Sequence, residues 1–186
     1  ARKTIASARS SAVAGRPVPR RIVLAAAGCF EQGRPAVFRL VRQRLLRDTF
    51  VSGEPAIEAY HAHVRQAAVT GLAIGKRLGF HRALADRLLE EPEPDADLLV
   101  DILLGADDRA GAERFAIIAA EHAEAQLAFD RAASLHRKVV DLARERGASA
   151  AERAPLRARL ARALATAGKS REAGEAYALA AEDARR

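Results

Sequence analysis

Apolar positions recur along this chain at intervals of three and four, with one interruption where they crowd against a turn. Residues 4–14 are small, tolerant of helix, and stop at Gly15; Gly15-Arg-Pro-Val-Pro19 then reads as a turn. A short apolar helix is expected from Arg20 to Gly28. Another should start at Gly33 to Pro35, because proline is tolerated in a first helical turn. In that helix Val37, Leu40, Val41 and Leu45 fall on one face and Arg39, Arg42 and Arg44 lie elsewhere. Phe50 and Val51, then Ile57 and Tyr60, flank a Ser-Gly-Glu-Pro turn, which predicts a β-hairpin. From His61 onward the spacing is helical, with segments at 61–73, 76–90, 95–104, 108–126, 128–146, 152–167 and 170–185. Pro92 and Pro94 stop a helix, and Asp95 is placed to cap the next.

Two of the late segments repeat a motif. Ala132, His136 and Val139 are followed, 41 residues later, by Ala173, Tyr177 and Ala180. Each set has a small residue, a ring four positions on, and a small or β-branched residue three further. This is similar to the second helix of a tetratricopeptide (TPR) hairpin, in which the small residue permits a close crossing and the ring fills the space beside it. The usual repeat is about 34 residues, so a longer loop around 146–152 accounts for the difference. Three short helices followed by a hairpin make a winged-helix-like module. The expected architecture is therefore mainly α: such a module over residues 1–72, then an antiparallel TPR-like helical solenoid over 73–186, with repeats at about 108–146 and 152–185.

Charge sharpens this division. The formal net charge is +7. Residues 1–50 hold eleven Lys and Arg against Glu31 and Asp48, whereas the rest carries 20 basic and 22 acidic side chains. A basic front end suits an anionic partner, such as nucleic acid, an acidic domain or an anionic surface. Half of the chain is hydrophobic but only 4% is aromatic, as closely packed Ala- and Leu-rich helices require. No apolar run approaches the roughly 18 residues of a membrane span. A single cysteine, Cys29, excludes an internal disulfide framework and fits a cytoplasmic location. Methionine is absent, position 1 included, which is read as a piece of something longer.

Most chemical motifs have a plainer explanation. Residues 163–170 satisfy a relaxed phosphate-loop pattern, but the sequence before them is helical where a buried strand is needed. Gly168 is better explained as a turn between paired helices. Arg20-Arg21 ahead of a short apolar stretch resembles an export signal, and the acid-free first 30 residues resemble a transit peptide. A helix inside a folded module is the preferred role. His61 and His63 point about 200° apart on a helix, so with His81 they make a poor metal site. The acidic run at 90–97 lacks the spacing of a calcium loop. No catalytic residue and no metal ligand is assigned. The helix carrying Arg39, Arg42 and Arg44 has the composition of a recognition helix for duplex DNA.

The order of these parts resembles the segment that follows the nucleotide-binding core in STAND-type signal-transduction ATPases. Residues 12–19 resemble the start of that family's winged helix, and Ala59-Tyr-His-Ala-His-Val-Arg-Gln66 resembles its Tyr/Phe-His-Asp-x-x-Arg-Glu segment. Leu103-Leu-Gly-Ala-Asp-Asp-Arg-Ala110, residues 119–123 and residues 127–133 resemble its first TPR-like helices. In bacteria this arrangement often follows a serine/threonine protein kinase domain. The resemblance implies a regulatory, protein-interaction segment whose ATP or ADP, Mg and catalytic domains lie upstream, with no cofactor in this part. His61 would sense a nucleotide phosphate with Arg65 beside it, the TPR-like surface would bind a protein partner or the protein's own catalytic domains, and activation would bring oligomerisation. Ala62 and Gln66 stand where the family carries acidic residues. The alternatives are a DNA-binding regulator with a TPR sensor, using Arg39, Arg42 and Arg44, and a free-standing TPR adaptor.

Overall fold

A computed structural model of the chain describes residues 13–28, 30–51 and 53–186, and the fold is mainly helical. Most of the helix expected at 4–14, and Cys29, lie outside the described residues. The chain divides into two compact units, Ala1–Asp108 and Arg109–Arg186.

The first unit opens with β1 (Val18–Pro19), α1 (Arg20–Ala26) and α2 (Phe30–Arg42). The hairpin strands β2 (Leu46–Val51) and β3 (Glu54–Ala59) follow, then α3 (Ala62–Thr70), α4 (Ile74–Leu89) and α5 (Ala96–Gly105). The three strands form an antiparallel sheet in the order β1-β3-β2, with Ile57 of the central strand opposite both Val18 and Asp48. Each element is explained by what it buries. Ile22, Val23 and Leu24 of α1 are all buried; in α2 the buried positions Gly33, Ala36, Val37 and Leu40 repeat at helical spacing. Val18, Leu46, Ala56 and Ile57 complete this core from the sheet side.

Three local expectations shift. Helix α2 begins at Phe30, so Pro35 lies inside it and removes one rung of the backbone ladder. Because α2 ends at Arg42, Leu45 leaves the apolar face and is partly exposed. Tyr60 falls just beyond β3.

Helices α4 and α5 were expected to begin the solenoid. By contacts they fall in the unit Ala1–Asp108, where α4 packs on both α1 and α5 and buries Leu84, Ala85 and Leu88. Asp95 caps α5, its Oδ1 accepting from the Leu98 amide at 3.0 Å. Arg16 then ties the chain before β1 to α5 through Asp97 at 3.2 Å and Asp101 at 3.4 Å.

The second unit is α6 (Arg109–Ala125), α7 (Phe129–Glu145), α8 (Ala150–Thr166) and α9 (Ser170–Ala184), each packed on the next. Alanines dominate the contacts: Ala112, Ala116 and Ala120 on α6, Ala132 and Ala143 on α7, Ala161 and Ala163 on α8, and Ala173 on α9 are buried. A methyl group at each crossing lets the helices approach closely, while Leu135, Val139, Leu160 and Leu164 fill the wider gaps. Helix α8 starts with a reciprocal cap: the Glu152 amide donates to Ser149 Oγ at 3.3 Å, and the Ser149 amide donates to Glu152 Oε2 at 2.8 Å.

One helix ending recurs in both units. The residue after the last turn adopts a left-handed backbone, and the next amide donates back five residues. This happens at Arg44 (φ 55°), Asp107 (64°), Leu127 (58°), Gly147 (78°) and Gly168 (76°). The return bonds, such as Leu45 to the Leu40 carbonyl and Ala128 to the Ala123 carbonyl, are 2.8–2.9 Å long. Among the described residues no helix is long and apolar enough to cross a membrane.

Candidate functional site

In the first unit a cleft of about 260 Å³ opens between the hairpin and the start of α3, lined by Gly15, Arg47, Glu58, Ala59, Tyr60, His61, Ala62 and Arg65. The sequence places its two central groups simply. His61 is the extended residue just before α3, and Arg65 lies one helical turn further on. The two expected sensing residues therefore face one cavity. Tyr60 meets the His61 ring edge-on, with centroids 4.6 Å apart and planes at 85°. Arg65 donates to the Gly15 carbonyl at 3.2 Å, and Arg47 is held by Glu58 at 2.7 Å.

A second cleft of about 270 Å³ shares Gly15 and Arg65 and adds Val13, Gln66, Val69, Arg77 and His81. His81 is wedged against Gly105, where a single added methyl would overlap its ring. Its Nδ1 is buried without a hydrogen-bond partner among the described residues. Burial first, and then the charge of Arg77, lower its pKa from 6.5. The ring is thus neutral near pH 7, and the positive charge at this end belongs to Arg65 and Arg77. With Glu58 committed to Arg47, the two clefts, which share Arg65, are suited to an anionic group. Gly105 carries no local sequence signal for this role, since its meeting with His81 depends on the packing of α4 and α5, whereas Arg77 lies one turn before His81 on α4 itself.

His63 lies apart, on an apolar groove of about 520 Å³ with Leu45, Leu46, Ala59, Val64, Ala67 and Ala68. Among the described residues no three His, Cys, Asp or Glu side chains are grouped to hold a metal ion. The phosphate-loop-like segment is a link between α8 and α9 in which Gly168 supplies the left-handed turn, and helix rather than strand precedes it. Arg20 and Arg21 of the export-like segment pair with Asp48 and with Glu54 and Glu91, on a helix packed within the unit.

In the second unit Ala132, His136 and Val139 are buried on α7. His136 Nε2 lies 2.9 Å from Glu124 Oε1, and the other Glu124 oxygen is 3.5 Å from Arg162. Ala173 and Ala180 are also buried, but Tyr177 is 47% exposed. The two motifs therefore share their small residues and differ at the ring. Asp183, not singled out by sequence reasoning, is buried and bridged by Arg153 at 3.0 Å and Arg157 at 2.7 Å. The Arg153 hydrogen bonds, then the Arg157 charge, hold its carboxyl below the usual range. Its signal was the i, i+4 arginine pair on one face of α8. Arg39, Arg42 and Arg44 are exposed.

No protein-family model, curated protein or solved structure matches the chain.

Proposed function

We propose that this chain is a regulatory, protein-interaction segment of a STAND-type signal-transduction ATPase linked to a serine/threonine kinase. The observation that carries the reading is the convergence of His61 and Arg65 on one cleft beside a three-stranded sheet. In that family resemblance these two positions face the nucleotide held by an upstream core. The β1-α1-α2-β2-β3 order with a β1-β3-β2 sheet supports a winged-helix-like module. The alanine-lined crossings of α6 to α9, with recurring left-handed ends, support TPR-like hairpins that present a protein partner surface. Chemistry would then reside in upstream domains that bind ATP or ADP with Mg, and this segment would shift their population between closed and open, oligomerising forms. An antibody against residues 128–186, applied to source cells, tests the linkage. A polypeptide several times longer than these 186 residues is expected. A band at the length of this chain alone would refute the ATPase and kinase linkage.

A further inference from the structure

Helix α2 buries one face and leaves the other to solvent. Gly33, Ala36, Val37 and Leu40 point into the unit, while Arg34, Phe38, Arg39 and Arg42 are exposed, Phe38 by 63%. Arg44 is exposed in the turn that follows, and Phe50, 72% exposed, stands next to the hairpin tip. No acidic residue occurs from Gln32 to Arg47.

Ion pairing separates this face from its neighbours. Arg16 is engaged by Asp97 and Asp101, Arg20 by Asp48, Arg21 by Glu54 and Glu91, and Arg47 by Glu58. Arg39, Arg42 and Arg44 have no carboxylate partner among the described residues. The uncompensated charge of the described part of this region is thus gathered on α2 and its last turn, interleaved with an exposed aromatic ring. The shape is a convex ridge: 13 helical residues span about 20 Å. Such a ridge fits the concave, anionic major groove, about 12 Å wide, better than it fits a flat acidic surface. Phe38, exposed among these arginines, offers apolar contact of the kind thymine methyl groups accept.

We propose that the exposed face of α2 and the turn that follows it form a docking face for duplex nucleic acid, with Arg39, Arg42 and Arg44 as the phosphate-contacting groups. This does not rest on the ATPase linkage. The test is fluorescence anisotropy of a short mixed-sequence DNA duplex with this chain, from about 50 to 200 mM salt. Binding with a dissociation constant of roughly 1–100 µM is expected, weakening linearly in log–log form as salt rises. Arg39→Ala and Arg42→Ala should each lower that slope by about one. Arg44→Gly is the sharpest variant, since glycine is unstrained at a left-handed position; it should lose affinity while melting no lower than the parent.

Absence of duplex binding at the lowest salt overturns the proposal. So does undiminished binding by the variant carrying Arg39→Ala, Arg42→Ala and Arg44→Gly together. Binding of polyglutamate through the same arginines, without duplex binding, overturns it in favour of an acidic protein partner.

Discussion

Replacing Ala132 by leucine tests the close helix crossings of the second unit directly. Ala132 has no exposed surface, and α7, which carries it, is packed between α6 and α8. Three added carbons at a position with no exposed surface force neighbouring helices to separate or side chains to leave their preferred rotamers. Overpacking of this kind costs typically about 1–3 kcal/mol. For a unit the size of the 78 residues from Arg109 to Arg186, each kcal/mol moves the melting temperature by about 4–8 °C. A fall of roughly 5–20 °C is therefore expected in a thermal melt followed by far-ultraviolet circular dichroism. Ala173→Leu should lose less, because α9 packs chiefly on α8, meeting α7 at the Arg137–Glu172 pair, and can move outward. Ser134→Leu, exposed on the same helix as Ala132, is the control and should melt close to the parent. Equal melting of the Ala132 and Ser134 variants would refute the argument that small residues set the spacing.

Leu127→Gly should stabilise the second unit by about 0.5–1 kcal/mol, read as a higher melting temperature, since the left-handed strain removed outweighs glycine's extra chain entropy. Gly105→Ala should destabilise the first unit by about 1–3 kcal/mol in a denaturant titration, because its methyl overlaps the His81 ring and the ring must shift, and His81→Ala added to it should restore most of the loss. The Glu152 carboxyl is lowered from 4.5 to about 2 by the Ser149 amide first, then the Ser149 hydroxyl and Arg146. Its contribution is thus present above pH 4.5 and disappears as pH falls toward 2. Glu152→Gln should accordingly flatten the stability-versus-pH curve in that window and leave its shape at neutral pH unchanged.

Helices were legible because their apolar residues repeat within one element. The segment expected at 128–146 is Phe129–Glu145, and that expected at 170–185 is Ser170–Ala184. The hairpin was legible from its turn residues. What periodicity withholds is the identity of the partner. The apolar face of α4 says that something covers it, but not that α1 does, and so its place in the compact unit Ala1–Asp108 could not be read from the sequence. His81 meeting Gly105 depends on a contact across 24 positions, and no local pattern encodes it. Within the cleft, His61 and Arg65 were singled out only through the resemblance of residues 59–66 to the STAND-type segment, and their separation of one helical turn is what lets both line the same wall. Tyr177 shows the opposite limit: a shared spacing identifies equivalent positions, but burial depends on what lies above them.

Helix α3 buries none of its nine residues. Its attachment comes from its backbone ladder, a modest contact with β3 and the Arg65 bond to Gly15. Opening free energies are smallest where few apolar contacts must be broken. Its amides should therefore be among the earliest in the first unit to exchange with solvent, well before those of α5, whose Leu98, Leu99 and Ile102 are sealed inside. Arg65 rides on α3, while Arg47 is anchored on a paired strand. One wall of the cleft should thus open faster than the other, so occupancy by an anion would be felt first as a change in the lifetime of this single short helix.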